Sequence, residues 1–189
     1  MLWQWKNFMP LSMNLDKIQV VFFFVVSILV AGQEIQTLRN YLEVAEKVSR
    51  KGLTKWRHTS PQARRTFIHM LSEGRLLRRS IYFQIFHSQK DYAALTAKAI
   101  VGTLRQNPAS KALVFIDALN EAEQKIIRRH IRASVLVPVI VRGIRREESE
   151  VLIRVVDAIC GLVRDCYEGD RWSISSVQFL ISRKILCAL

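Results

Sequence analysis

The sequence predicts an α/β layered fold, and three observations lead there. Short apolar runs of β-forming residues alternate with longer stretches whose apolar residues repeat at three and four, the mark of strands alternating with amphipathic helices. The connections between them are short. The 189 residues are 50% hydrophobic and 24% charged, which suits one domain with a sizeable core and argues against disorder.

Taken in order, residues 1–17 have no clear period and read as an atypical leader, not as an element. Ile18 to Ala31 follows, with VVFFFVVSILVA at its heart. Its wealth of Phe and Val suits a central strand. It is too short for a membrane span of about 20 residues, and the alternative is a secretory or anchor segment, since Lys6 and Lys17 precede it. Gln33 to Arg50 is an amphipathic helix, with Ile35, Leu38, Tyr41, Leu42, Ala45 and Val48 on one face and Gly52 just beyond its end. Ser60-Pro61 starts another helix, to about Ser72, with Pro at the first helical position. Ser80 to His87 alternates as a strand, and Asp91 to Arg105 is a helix closed by Asn107-Pro108.

The stretch from Lys111 to Gly169 reads strand, helix, strand, helix. Ala112 to Ile116 is an apolar strand with Asp117 at its C-terminal end. Asn120 and Glu123 form a capped start for a helix over 121–132, which leaves Asp117 outside the capping job. Such a position lies in the crevice beyond a strand end, where open α/β sheets bind ligands. Val135 to Ile144 is a strand, and Ser149 caps a long helix to about Glu168 that is apolar on nearly every face. Asp157 in its middle needs a partner. Residues 171–189 are a tail, apolar in patches and basic in others.

The charge is lopsided, with 29 Lys and Arg against 16 Asp and Glu, a net of +13. That surplus favours an anionic partner, nucleic acid or a membrane surface, over a neutral ligand. Three cysteines, Cys160, Cys166 and Cys187, lack metal-ligand spacing and read as reduced, which suits the cytoplasm. No Walker loop, dinucleotide fingerprint or Gly-x-Ser-x-Gly elbow occurs, so ATPase, dehydrogenase and serine hydrolase readings are weak.

The segment ALVFIDAL, followed by VRGIRREESEVLIRVVDAICGLVRDCYEG, resembles a bacterial family known as domain of unknown function 3800, with Lys55-Trp56 similar to the family's Lys-Trp segment. The resemblance spans residues 18–170 and implies a single ribonuclease H-like α/β domain, a mixed sheet flanked by helices. It implies a metal-dependent nuclease that hydrolyses phosphodiesters, with Asp117 and Asp157 as catalytic residues and ligands of Mg²⁺ or Mn²⁺. Two divalent ions about 4 Å apart clamp the reacting oxygens in such enzymes, and hard ions demand converging carboxylates. Arg142, Arg145, Arg146 and Lys55 are the candidate phosphate-binding residues. The family's opening Asp-Glu-Ser-Gly strand has no match in residues 1–17, so the domain reads as truncated at its first strand, with Val20 to Val30 left as an unpaired edge prone to aggregation. With only two acids, a non-catalytic truncated remnant acting as a nucleic-acid-binding or interaction protein is the alternative, and Asp157 paired with Arg142 or Arg145 is its structural counterpart. Trp56 either stacks on a base or fills the core. Asp165 reads as solvated beside Arg164. No stable membrane insertion is expected.

Overall fold

The computed structural model describes residues 2–5, 9–11, 20–87, 91–106, 111–117, 120–144 and 150–189, with side chains from residue 23 onward apart from that of Asp117. The elements are β1 (Leu2–Trp5), β2 (Met9–Leu11), β3 (Val20–Ile28), α1 (Ile35–Val48), α2 (Pro61–Glu73), β4 (Ile81–His87), α3 (Tyr92–Gln106), β5 (Ala112–Asp117), α4 (Glu121–Ser134), β6 (Val139–Ile144), α5 (Val151–Tyr167), α6 (Arg171–Ser182) and β7 (Leu186–Ala188). The class is α/β, a mixed sheet flanked by helices. Its strands lie in the order β6-β5-β1-β3-β4-β7, with β2 paired to β3. β1, β5 and β6 run parallel to one another, β3 is antiparallel to both β1 and β4, and β7 is parallel to β4.

The apolar run 20–28 is the middle of this sheet. Phe24, Val26 and Ile28 face one core, shared with α1, α2, α5 and α6, while Phe23 and Val25 face the other, shared with α3 and α4. A strand buried on both faces needs a continuous apolar sequence, and this one has it. The run is therefore a strand.

The unpaired edge expected at Val20 to Val30 is corrected by the structure. Leu2–Trp5 sits between β3 and β5, with Trp3 opposite Ser27 on one side and Ile116 on the other. β2 continues along the same side of β3, with Pro10 opposite Val21. β3 thus has neighbours on both sides and is no exposed edge; among the described residues the ends of the sheet are β6 and β7. Alternation is hard to detect in four residues, and Leu-Trp-Gln-Trp resembles no family motif, so the leader reading gives way to two short strands. The strand in the first position carries no acid. The tail is equally structured: Asp170 caps α6 by accepting hydrogen bonds from the backbone N–H of Ser173 (2.8 Å) and its hydroxyl (2.7 Å), and β7 pairs with β4 from Ile81↔Leu186 onward.

Other boundaries move by a few residues. The strand expected from Val135 starts at Val139. The residue that opens α5 is Glu150, without a side-chain capping bond, and Ser149 lies outside the described residues.

Candidate functional site

Asp117 is the last residue of β5. Its register partner is Ile144, the last residue of β6, and Ile116 pairs with Trp3 of β1. The strand end therefore lies among the carboxyl ends of three adjacent parallel strands, which is the position where α/β sheets open a crevice. The capping box expected at α4 is present: the Asn120 side chain accepts from the Glu123 N–H at 2.9 Å, and Glu123 Oε2 accepts from the Asn120 N–H at 3.0 Å. The N-cap of α4 is Asn120. Arg128 ties α4 to β6 by donating to the Val141 carbonyl at 2.8 Å.

Arg142 lies on β6, exposed and opposite Phe115, two residues before the Asp117–Ile144 pair. Arg145 and Arg146 lie outside the described residues. Lys55 is exposed and precedes the 3-10 turn Trp56–His58, which packs on α5 rather than on β6, so Lys55 and Arg142 stand on different elements.

α5 packs across β1 and β3, so the helix that carries Asp157 lies over the strand next to β5. One of its faces is polar from end to end. At its start Arg39 Nε donates to Glu150 Oε1 at 2.8 Å. A turn on, Arg154 grips Glu46 of α1, with Nη2 to Oε2 at 2.6 Å and Nε to Oε1 at 2.9 Å. Glu46 also accepts from Lys51 Nζ at 3.2 Å, where Lys51 is 1% exposed and lies over the Phe67 ring. Burial pushes the Lys51 ammonium below the ordinary lysine range, opposed by the negative charges of Glu46 and Asp157. Asp157, 5% exposed, thus belongs to a buried group of two acids and two bases. The negative charge of Asp157 acts on the Lys51 ammonium, while Arg142 stands exposed on β6. Glu150 Oε2 is buried with no hydrogen-bond partner among the described residues.

The far half of the same face is different. Gly161 leaves room for Trp56, since a Cβ there would stand 2.3 Å from the indole Cδ1. Trp56 is buried, stacks on Trp172 at 6.3 Å and lies under the Arg64 guanidinium at 4.8 Å. Its indole N–H donates to Asp165 Oδ2 at 2.7 Å, and the same carboxylate takes Arg64 at 3.2 Å and Arg164 at 2.7 Å. Asp165 is therefore a part-buried hub, which corrects the solvated reading: its value lies in elements brought in from Trp56 and α2, which no local spacing reveals. Trp56 fills the core. A cleft of about 430 Å³ opens beside this hub, lined in part by Arg57, Arg65, Glu168 and Asp170.

Among the described residues no three His, Cys, Asp or Glu side chains gather into a metal centre. Glu46 has both oxygens engaged by Lys51 and Arg154. Glu150 and Asp157 are seven residues apart on the helix, about 10 Å along its axis, too far to share an ion. Asp117 stands at the end of β5, and Asp157 on α5, which packs across β1 and β3. Lys51 and Arg154 supply positive charge beside Asp157, which disfavours a cation there. Glu150 is the acid that sequence reasoning missed; its signal is an unmet carboxylate oxygen, visible only in three dimensions.

Among known proteins, no family model matches the chain, and no curated protein matches it. A solved structure that is similar to it is the ribonuclease H2 from Pyrococcus horikoshii OT3, at 13% identity over 79% of this chain and 67% of that one, with a TM-score of 0.47.

Proposed function

We propose that this chain is a nuclease of ribonuclease H type that hydrolyses phosphodiester bonds, with Asp117 and Asp157 as its catalytic carboxylates. The observation that carries the reading is the place of Asp117, at the carboxyl end of β5 between the parallel strands β1 and β6. The resemblance of residues 18–170 to domain of unknown function 3800 points the same way. The net charge of +13 favours a polyanionic substrate. Asp117 and Asp157 would hold a single Mg²⁺ or Mn²⁺, and such an ion would supply Lewis-acid polarisation of a phosphoryl oxygen and acidification of a water molecule. Arg142, Arg145 and Arg146 orient the scissile phosphate from the β6 side, and Lys55 contacts the strand farther along. Cys160, Cys166 and Cys187 form no disulfide with one another, which fits a reducing compartment such as the cytoplasm. No helix among the described residues is long and apolar enough to cross a membrane.

The test is cleavage of end-labelled RNA, DNA and RNA–DNA hybrid in Mg²⁺ or Mn²⁺. Wild type cleaves at least one of the three, chelator stops it, and Asp117→Asn falls to background. Cleavage by Asp117→Asn at the wild-type rate overturns the assignment.

One observation favours a second reading. The group Glu46, Lys51, Arg154 and Asp157 is already neutral in sum, so Asp157 has a structural use without any ion. On that reading the chain is a non-catalytic remnant that binds nucleic acid by charge. Its binding falls with salt and ignores both aspartates.

A further inference from the structure

The parallel pairing of β4 with β7 sets two basic turns side by side. Arg78 and Arg79 precede β4, and Arg183 and Lys184 precede β7. The Arg79 N–H donates to the Lys184 carbonyl at 2.6 Å, and the Ile81 N–H donates to the Ile185 carbonyl at 3.3 Å, so the two turns are joined before the strands begin. Between them lies a cleft of about 440 Å³ lined by Arg78, Arg79, Ser182, Arg183 and Lys184. All four cations are exposed. The acid that meets them among the described residues is Glu73, 3.4 Å from Arg183, with both partners well exposed.

Two features argue that this is more than a solvated surface. First, Arg79 (φ 56°) and Lys184 (φ 57°) both adopt the left-handed backbone conformation that glycine or asparagine would take more cheaply, yet each position carries a long cation. The Tyr82 hydroxyl holds the first turn by donating to the Arg79 carbonyl at 2.8 Å. Second, the dipole of α6 accounts for basic residues at its C-terminal end, Arg183 and Lys184, but not for Arg78 and Arg79, which follow a different element. Four cations converging on one concavity repel one another unless an anion joins them.

We infer that the cleft between the Arg78-Arg79 and Arg183-Lys184 turns binds the phosphate backbone of a nucleic-acid strand. A concave slot of this size admits a phosphodiester chain, whereas a membrane surface is too flat to enter it. The slot lies at the starts of β4 and β7. Asp117 lies at the end of β5, three strands across a sheet in which β4 and β5 run the same way. The two are therefore separate sites, and the slot would hold a strand at a distance from the site of chemistry. The identity of the polyanion rests on the proposed function; the anion site itself does not.

The test uses the full chain and a fluorescein-labelled single-stranded oligonucleotide, with binding followed by anisotropy from low to high salt. In the variant R78A/R79A/R183A/K184A, affinity at 0.1 M salt falls about a hundredfold and the slope of log K against log salt becomes shallower by about 2, as expected for the loss of three to four phosphate contacts. Far-ultraviolet circular dichroism shows the variant folded, and R78K/R79K/R183K, which keeps the charge, binds near wild type. An unchanged slope in the folded alanine variant overturns the inference whatever the cleavage assay gives. Loss of binding to anionic vesicles with oligonucleotide binding intact overturns it too, in favour of a lipid surface. Loss of oligonucleotide binding in a protein that cleaves nothing upholds the slot and rejects the nuclease.

Discussion

The two halves of the polar face of α5 solve the same problem differently. In the C-terminal half every charge is satisfied: Asp165 takes the Trp56 indole and two guanidinium groups, and the stacked Trp56 and Trp172 shield it. In the N-terminal half a lysine is buried against its preference, and a carboxylate oxygen of Glu150 is unmet among the described residues. A buried ionisable group that is completely paired is architecture. One that is strained or unmet is where a ligand gains most from binding. The difference separates the surroundings of Asp157 from those of Asp165, two turns apart on one helix.

The largest way to break this comparison is Glu46→Ala. It leaves Lys51 and Arg154 without their shared acid, and we expect a loss of about 4 kcal/mol in urea unfolding. A loss below about 1 kcal/mol would mean that the two cations reach water and that the group is not buried as a unit. Asp165→Asn should cost about 2 to 3 kcal/mol, because a neutral amide still accepts from Trp56 but no longer balances Arg64 and Arg164. The architectural role further requires that Asp165→Asn leave nucleic-acid binding at wild-type level under conditions where it is folded; weakened binding would move Asp165 into the functional half.

Gly161→Ala comes next, at about 2 kcal/mol, since the added methyl must displace the Trp56 ring or the helix. The quenching of Trp56 fluorescence by added iodide should rise with it, and an unchanged spectrum and stability would show that the ring has room to move. The smallest effect concerns pH. The folded-state pKa of Lys51 is lowered, so between that value and the ordinary 10.5 the unfolded chain binds more protons than the native one. Stability then rises with pH across that window, and the penalty for the buried charge is present in full below it. Relative to Lys51→Met, wild type should therefore gain stability as pH climbs toward 10.5. A difference between the two that stays flat with pH would place the Lys51 ammonium in contact with solvent.

Much of the fold was legible because it rests on local rules. The double-faced burial of β3 follows from an unbroken apolar run, the start of α2 from Ser60-Pro61, whose hydroxyl accepts from the Ala63 N–H, and the start of α4 from the Asn120–Glu123 box. β1 and β7 were not legible, since three or four residues carry no period and gain their structure from the strands beside them. The place of Asp117 at a strand end was read correctly from the run that precedes it. The hub at Asp165 and the slot between two basic turns were hidden because each joins residues about a hundred positions apart. Sequence spacing reports neighbours along one element, and these are neighbours across several.

The measurement that tests the central claim most directly is Mn²⁺ binding followed by the loss of the free-ion signal in electron paramagnetic resonance, for wild type, Asp117→Asn and Asp157→Asn in parallel. The account predicts one ion bound per wild-type chain and none in either variant, with circular dichroism unchanged. Equal binding by all three proteins, or no ion bound by wild type, contradicts it and leaves the neutral group around Asp157 as structure alone.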